Sequence, residues 1–102
     1  MAFNATTSED GRTLEIVVSG RFQFSVHREF RDTYTKFTVP GGLVRINLAQ
    51  TEYMDSAALG MILLLNEHVK QHRARIVLSK PSAMIRRILD IANFDKIFVI
   101  EA

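Results

Sequence analysis

The sequence predicts an α/β domain in which a mixed β-sheet carries helices packed against it. Segments with strand periodicity alternate with segments of helical periodicity along the chain, the pattern of strands joined through helices. The turn signals Asp10-Gly11 and Pro40-Gly41-Gly42 fall between those segments and not inside them. The 102 residues, 47% of them hydrophobic, suffice for one core but not two, so every apolar run must serve the same interior. No period repeats and no tract is of low complexity, so a single domain over residues 1–102 is expected. The expected element order is β-β-α-β-α-β-α-β.

Residues 3–7 supply a short first strand that pairs across the Asp10-Gly11 turn. Residues 13–20 alternate Leu14, Ile16 and Val18 against Glu15, Val17 and Ser19, the period of a half-buried strand. Ser25 is placed to open a helix whose apolar positions Val26, Phe30, Tyr34 and Phe37 step by four, four and three. After Pro40-Gly41-Gly42, residues 43–48 read as a buried strand with Val44, Ile46 and Leu48 on one face. A helix then begins at the polar pair Asp55-Ser56 and continues to about His72. Its first half is apolar nearly all round, which predicts that it is largely covered. Residues 76–79 form another buried strand. Pro81-Ser82 starts a helix with Ile85, Ile88, Leu89 and Ala92 inward, and residues 97–100 make the last strand.

Composition removes several classes of function. There is no cysteine, hence no disulfide framework, thiolate metal site or cysteine nucleophile, and an intracellular compartment is the natural reading. A net charge of +2 is too small to drive non-specific nucleic-acid binding. The N-terminal ten residues lack a signal-peptide pattern, and the longest apolar run, residues 61–65, is too short to cross a bilayer, so a soluble, cytoplasmic protein is expected. His68 and His72 stand i, i+4 but have no third ligand nearby, which predicts a solvated helix face and no metal. Neither a Gly-x-Ser-x-Gly elbow nor a phosphate-binding glycine loop is present, so the hydrolase signature fails and the sequence points to no cofactor. Between residues 68 and 87 lie Lys70, Arg73, Arg75, Lys80, Arg86, Arg87 and two histidines, with no acidic residue. The preference of helix C-termini for cations explains part of this run, and an acidic docking partner is the alternative.

The Asp55-Ser56 pair is the sharpest chemical feature, and two readings stand side by side. Ser56 is either a helix cap or a phosphoacceptor, whose phosphate would sit where orphan N–H groups and the helix dipole favour an anion. Asp55 either is the cap itself or acts on the neighbouring hydroxyl. Ala57, Ala58 and Gly60 allow another backbone to approach the helix start, or are packing choices. Of Phe22 and Phe24, one must point away from the core if the chain stays extended there, and an exposed aromatic suits a binding surface.

The stretch Tyr53-Met54-Asp55-Ser56-Ala57-Ala58-Leu59-Gly60 resembles the Asp-Ser-(Ser/Thr/Ala)-Gly-Leu-Gly signature of STAS domains, especially bacterial anti-sigma factor antagonists. Ser19-Gly20-Arg21-Phe22 resembles the family's strand end, and residues 85–94 its third helix, so the likeness covers almost the whole chain. Single-domain antagonists that govern biofilm or motility programmes look most similar. The resemblance implies a non-enzymatic phosphoprotein that regulates transcription by partner switching. Ser56 would be phosphorylated by a serine kinase and dephosphorylated by a PP2C-type phosphatase. The unphosphorylated form would bind the kinase or an anti-sigma factor. The surface expected to dock that partner is made of Phe22, Gln23, Phe24, Ser25, Tyr53, Met54, Asp55, Ala57, Ala58, Leu59, Gly60 and, from the loop at 80–82, Ser82.

Three departures from the family pattern stand out. Ala58 replaces a glycine of the signature, and Gln23 stands where many relatives carry Asp. The sequence stops at Ala102 straight after the last strand, so the family's C-terminal helix is expected to be absent or very short. That would leave a sheet edge or face bare and favour a homodimer or an altered partner surface. STAS domains also occur in lipid- and membrane-transport assemblies, which makes a constitutive subunit of such an assembly the alternative. A nucleotide-binding module at the helix start ranks last.

Overall fold

The computed structural model describes residues 2–102. Ser8 and Asp10 close the first turn: the Ser8 hydroxyl donates to Asp10 Oδ1 at 2.6 Å, and the Ser8 amide to the Thr13 carbonyl at 2.9 Å. The Ser8 hydroxyl, then the Arg12 amide, hold the Asp10 carboxyl below its ordinary pKa. Gly11 takes φ +74°, open to glycine without a Cβ clash. Across this turn β1 (Phe3–Thr7) and β2 (Thr13–Val18) pair antiparallel, Phe3 opposite Val18. β4 (Leu43–Asn47), β6 (Arg75–Ser79) and β7 (Val99–Glu101) add in parallel, giving one sheet of order β1-β2-β4-β6-β7. β3 (Gly20–Phe22) and β5 (Thr51–Met54) form a second, two-stranded parallel sheet. The helices are α1 (His27–Tyr34), α2 (Ser56–Lys70) and α3 (Ala83–Ile91).

One side of the main sheet carries the core. Leu14, Ile16, Val44, Ile46 and Leu78 meet Ile62, Leu65 and Val69 of α2 and Ile85 and Leu89 of α3, all buried. Phe3, Phe22 and Phe30 add an aromatic cluster with centroids 5.0 to 5.7 Å apart. The alternate residues Glu15, Val17, Leu43, Arg45 and Asn47 line the opposite face and stay half-buried.

The architecture is the mixed α/β sheet that the periodicity predicts, with differences of detail. The element order contains two strands more than expected, β3 and β5. They have 3 and 4 residues, and the β5 pattern of one buried residue at each end gives no alternation to read. α1 does not open at Ser25. A 3-10 turn over Phe24–Val26 precedes it, no side chain caps it, and Phe37 lies beyond its end. α2 ends at Lys70, short of His72, because Arg73 turns left-handed at φ +55° and Ala74 N–H donates back to the Val69 carbonyl at 2.9 Å. Pro81 stays outside α3, whose cap is Ser82. The last strand is Val99–Glu101 and not residues 97–100, since a 3-10 turn over Phe94–Lys96 delays it. The first half of α2 is not covered all round: Ala58, Met61 and Ile62 are buried, but Leu63 is 40% and Leu64 65% exposed.

Candidate functional site

β2, β4 and β6 run parallel, so the segments that follow them emerge at one end of the sheet, the usual binding end of such topologies. These segments carry residues 20–25, 51–60 and 80–82. Pairing of β3 with β5 sets the first two side by side: Phe22 stands opposite Met54, both buried, while on the outer side the Arg21 guanidinium lies 4.6 Å from the Tyr53 ring centroid. The Thr51 hydroxyl anchors this layer by donating to the Val18 carbonyl at 2.9 Å in the interior.

At the end of β5 the chain turns into α2 through Asp55, and the carboxylate is fully engaged. Its Oδ1 accepts from Ala58 N–H at 2.8 Å, capping α2, and its Oδ2 accepts from Phe24 N–H at 3.2 Å. The Asp55 amide itself donates to the Phe22 carbonyl at 3.3 Å. One residue thereby caps the helix and clamps the 22–24 segment beside it. Of the two readings left open by the sequence, Asp55 is the cap. Ser56 is the first helical residue, exposed, and its hydroxyl has no hydrogen-bond partner among the described residues.

Phe24 is 63% exposed and stacks on His27, centroids 4.5 Å apart and planes 13° from parallel. One and two turns along α2 from Ser56, Gly60, Leu63 and Leu64 face solvent. Apart from its chain neighbours and the local α2 backbone, a methyl group at Gly60 would meet no atom of the described residues within 4 Å, so packing does not require glycine there.

The predicted site residues divide by depth. Phe22, Met54 and Ala58, expected on a docking surface, are buried and support it from beneath, because the inner side of β3, β5 and α2 faces the core. Gln23, Asp55, Ala57 and Leu59 are half-buried; Phe24, Ser25, Tyr53, Ser56, Gly60 and Ser82 are exposed. The Ser82 hydroxyl accepts from Ile85 N–H at 3.2 Å and caps α3. Sequence reasoning missed Leu63 and Leu64 at this surface. The signal was present: with Met61, Ile62, Leu65 and Val69 taking the inner face at helical spacing, the intervening leucines must point outward. It also missed the Arg21–Tyr53 and Phe24–His27 stacks, which join residues through folding.

On the flank of α2, His68 and His72 have ring centroids 5.1 Å apart, and His68 Nε2 lies 2.9 Å from the Phe37 carbonyl. Burial raises the pKa of Tyr34 beside His68, against a smaller opposing effect of Arg31. Among the described residues no three metal-ligating side chains converge, and no helix is long and apolar enough to cross a membrane.

Residues 5–101 match the family model described as Mlab, STAS domain. A STAS-domain containing protein of Pseudomonas aeruginosa strain UCBPP-PA14 is 41% identical over 100 residues, covering 98% of this chain and 99% of the relative. Among solved structures, an anti-sigma-factor antagonist (STAS) domain protein from Planctomyces limnophilus superposes with a TM-score of 0.83 at 13% identity, over 98% of this chain and 89% of that one. The Bacillus cell fate determinant SpoIIAA in its phosphorylated form gives 0.70 at 17% identity, over 99% and 91%. At these identities the structural likeness shows a shared fold.

Proposed function

This chain belongs to the STAS-domain family, and from that premise we propose that it is a non-enzymatic anti-sigma factor antagonist, switched by phosphorylation of Ser56 in the cytoplasm. The observation that carries the reading is the division of labour between neighbours. Asp55 caps α2 and clamps Phe24, which leaves the Ser56 hydroxyl exposed and without a structural task. In the unphosphorylated form an anti-sigma factor or serine kinase docks on Phe24, Ser25, Tyr53, Gly60 and the exposed leucines, with Gln23, Ala57 and Leu59 at the margin. The kinase moves a phosphoryl group from ATP to Ser56 Oγ and releases ADP; a PP2C-type phosphatase hydrolyses the ester to inorganic phosphate.

The added group carries about −1.5 to −2 charges. The N–H groups and dipole of α2 tolerate it, so the helix stays folded. The partner does not tolerate it, since an interfacial charge left desolvated and unpaired weakens binding by several kcal/mol, or orders of magnitude in affinity. Asp55, hydrogen-bonded through both oxygens, cannot swing away to relieve the repulsion.

Intact-mass and peptide spectrometry of the protein from its own cells, with and without phosphatase, should find a phosphate on Ser56. Ser56→Asp should bind the partner at least about tenfold more weakly than wild type, and Ser56→Ala equally well; equal binding by Ser56→Asp would sink the switch. The exposed Leu63-Leu64 pair also suits a permanent interface. That supports the second reading, a constitutive subunit of a lipid- or membrane-transport assembly, which requires an unmodified Ser56 and stable co-purification with a transporter or ATPase.

A further inference from the structure

The proposed switch leaves the basic run of residues 68–87 without a role, and part of that run borders a groove at the far end of α2. The 15 residues of α2 put this groove about 20 Å from Ser56. Pairing of β6 with β7 begins only at Val77 opposite Val99, so the start of β6 and the residues leading into β7 diverge. The gap, about 290 Å³, is lined by Asn66, Lys70, Arg75, Val77, Ile97 and Val99 among others.

Two properties coincide there. Ile97 and Val99 are 53% and 61% exposed, on the edge strand of the sheet and the segment entering it. Lys70 and Arg75 are exposed and in no ion pair among the described residues, and no acidic side chain lines the groove. The nearest acids in sequence to its β7 wall are already paired, Asp95 with Lys96 at 3.9 Å and Glu101 with Arg45 at 3.6 Å.

An apolar wall edged by unpaired cations fits one kind of occupant. We propose that this groove docks an acidic protein segment anchored by a large aliphatic or aromatic side chain, its carboxylates facing Lys70 and Arg75. The volume, about 290 Å³, is that of a shallow open groove that takes a few side chains of a bound segment. Charge argues against a second copy of this chain, since two-fold pairing of the β7 edges would bring like cations to the same seam. The site is independent of Ser56 and does not rest on the phosphorylation reading.

Random twelve-residue peptides displayed on phage and selected on the immobilised full chain provide the test. The expected consensus is a large apolar residue flanked by Asp or Glu. A synthetic peptide of that consensus should bind more weakly as salt rises, and about tenfold or more weakly to Lys70→Glu/Arg75→Glu. Val99→Ser, which leaves the cations in place, should also weaken it, and Ser56→Asp should leave affinity unchanged. Failure to enrich any peptide, a consensus without acids, or unchanged binding to the folded charge-reversed variant overturns the proposal. So does a peptide whose affinity follows Ser56→Asp instead, which would assign it to the switch surface. Sedimentation showing a dimer that Val99→Ser disrupts would give the groove to a second copy, and binding to anionic phosphatidylglycerol vesicles in place of peptides would give it to a lipid surface; either also overturns it.

Discussion

Two serines stand at helix starts on the same end of the sheet, and they are used in opposite ways. At α3 the serine is the cap: Ser82 Oγ takes the Ile85 amide, and the hydroxyl is occupied. At α2 the cap is Asp55, and the serine is displaced by one residue into the first helical position, where its hydroxyl has no partner among the described residues. Both helices satisfy an orphan N–H with a side-chain oxygen, so the backbone requirement is identical. The difference is that the Asp-Ser order separates helix capping from the hydroxyl proposed for modification. A single serine doing both jobs would carry the modification on the very oxygen that holds the cap, so the cap contact itself would change.

Substitutions at the two helix starts probe this contrast directly. The largest effect is expected for Asp55→Ala, which removes the α2 cap and the bond to Phe24 N–H together and should lower stability by about 2 kcal/mol in urea unfolding. Ser82→Ala removes a cap alone and should lose about 1 kcal/mol. Gly60→Ala should gain about 0.5–1 kcal/mol, because a helix-interior glycine is unfavourable and nothing in the chain occupies the space of the methyl. The same variant should bind the partner less well if the glycine provides close approach. The smallest change belongs to Ser56→Ala, within about 0.5 kcal/mol of wild type. If Ser56→Ala destabilised as much as Ser82→Ala, the two serines would be equivalent caps and the contrast would collapse.

The main sheet was legible in the sequence because β2 and β4 alternate buried and half-buried residues along their length and the turns between elements carry glycine or proline. The Asp-Ser pair was legible as chemistry, but which residue caps was not, since either side chain can reach the N–H groups. The start of α1 was misread for a different reason. Ser25 looks like a local cap, yet the bond that fixes that segment comes from Asp55, 31 residues away from Phe24. β3 and β5 escaped notice because short strands paired only with each other depend on being brought together, and no window of sequence contains both. Leu63 and Leu64 were readable in principle, through the helical phase of the buried residues around them.

The clamp on Phe24 also bears on association entropy. An exposed aromatic on a free loop must be immobilised when a partner arrives, at about 0.5–1.5 kcal/mol for each ordered side chain. Here the backbone of Phe24 is held by Asp55 and its ring lies flat on His27 before any partner is met. On the proposed docking surface this ring is preorganised by folding, so contacts to it would convert more fully into affinity than exposure alone would suggest.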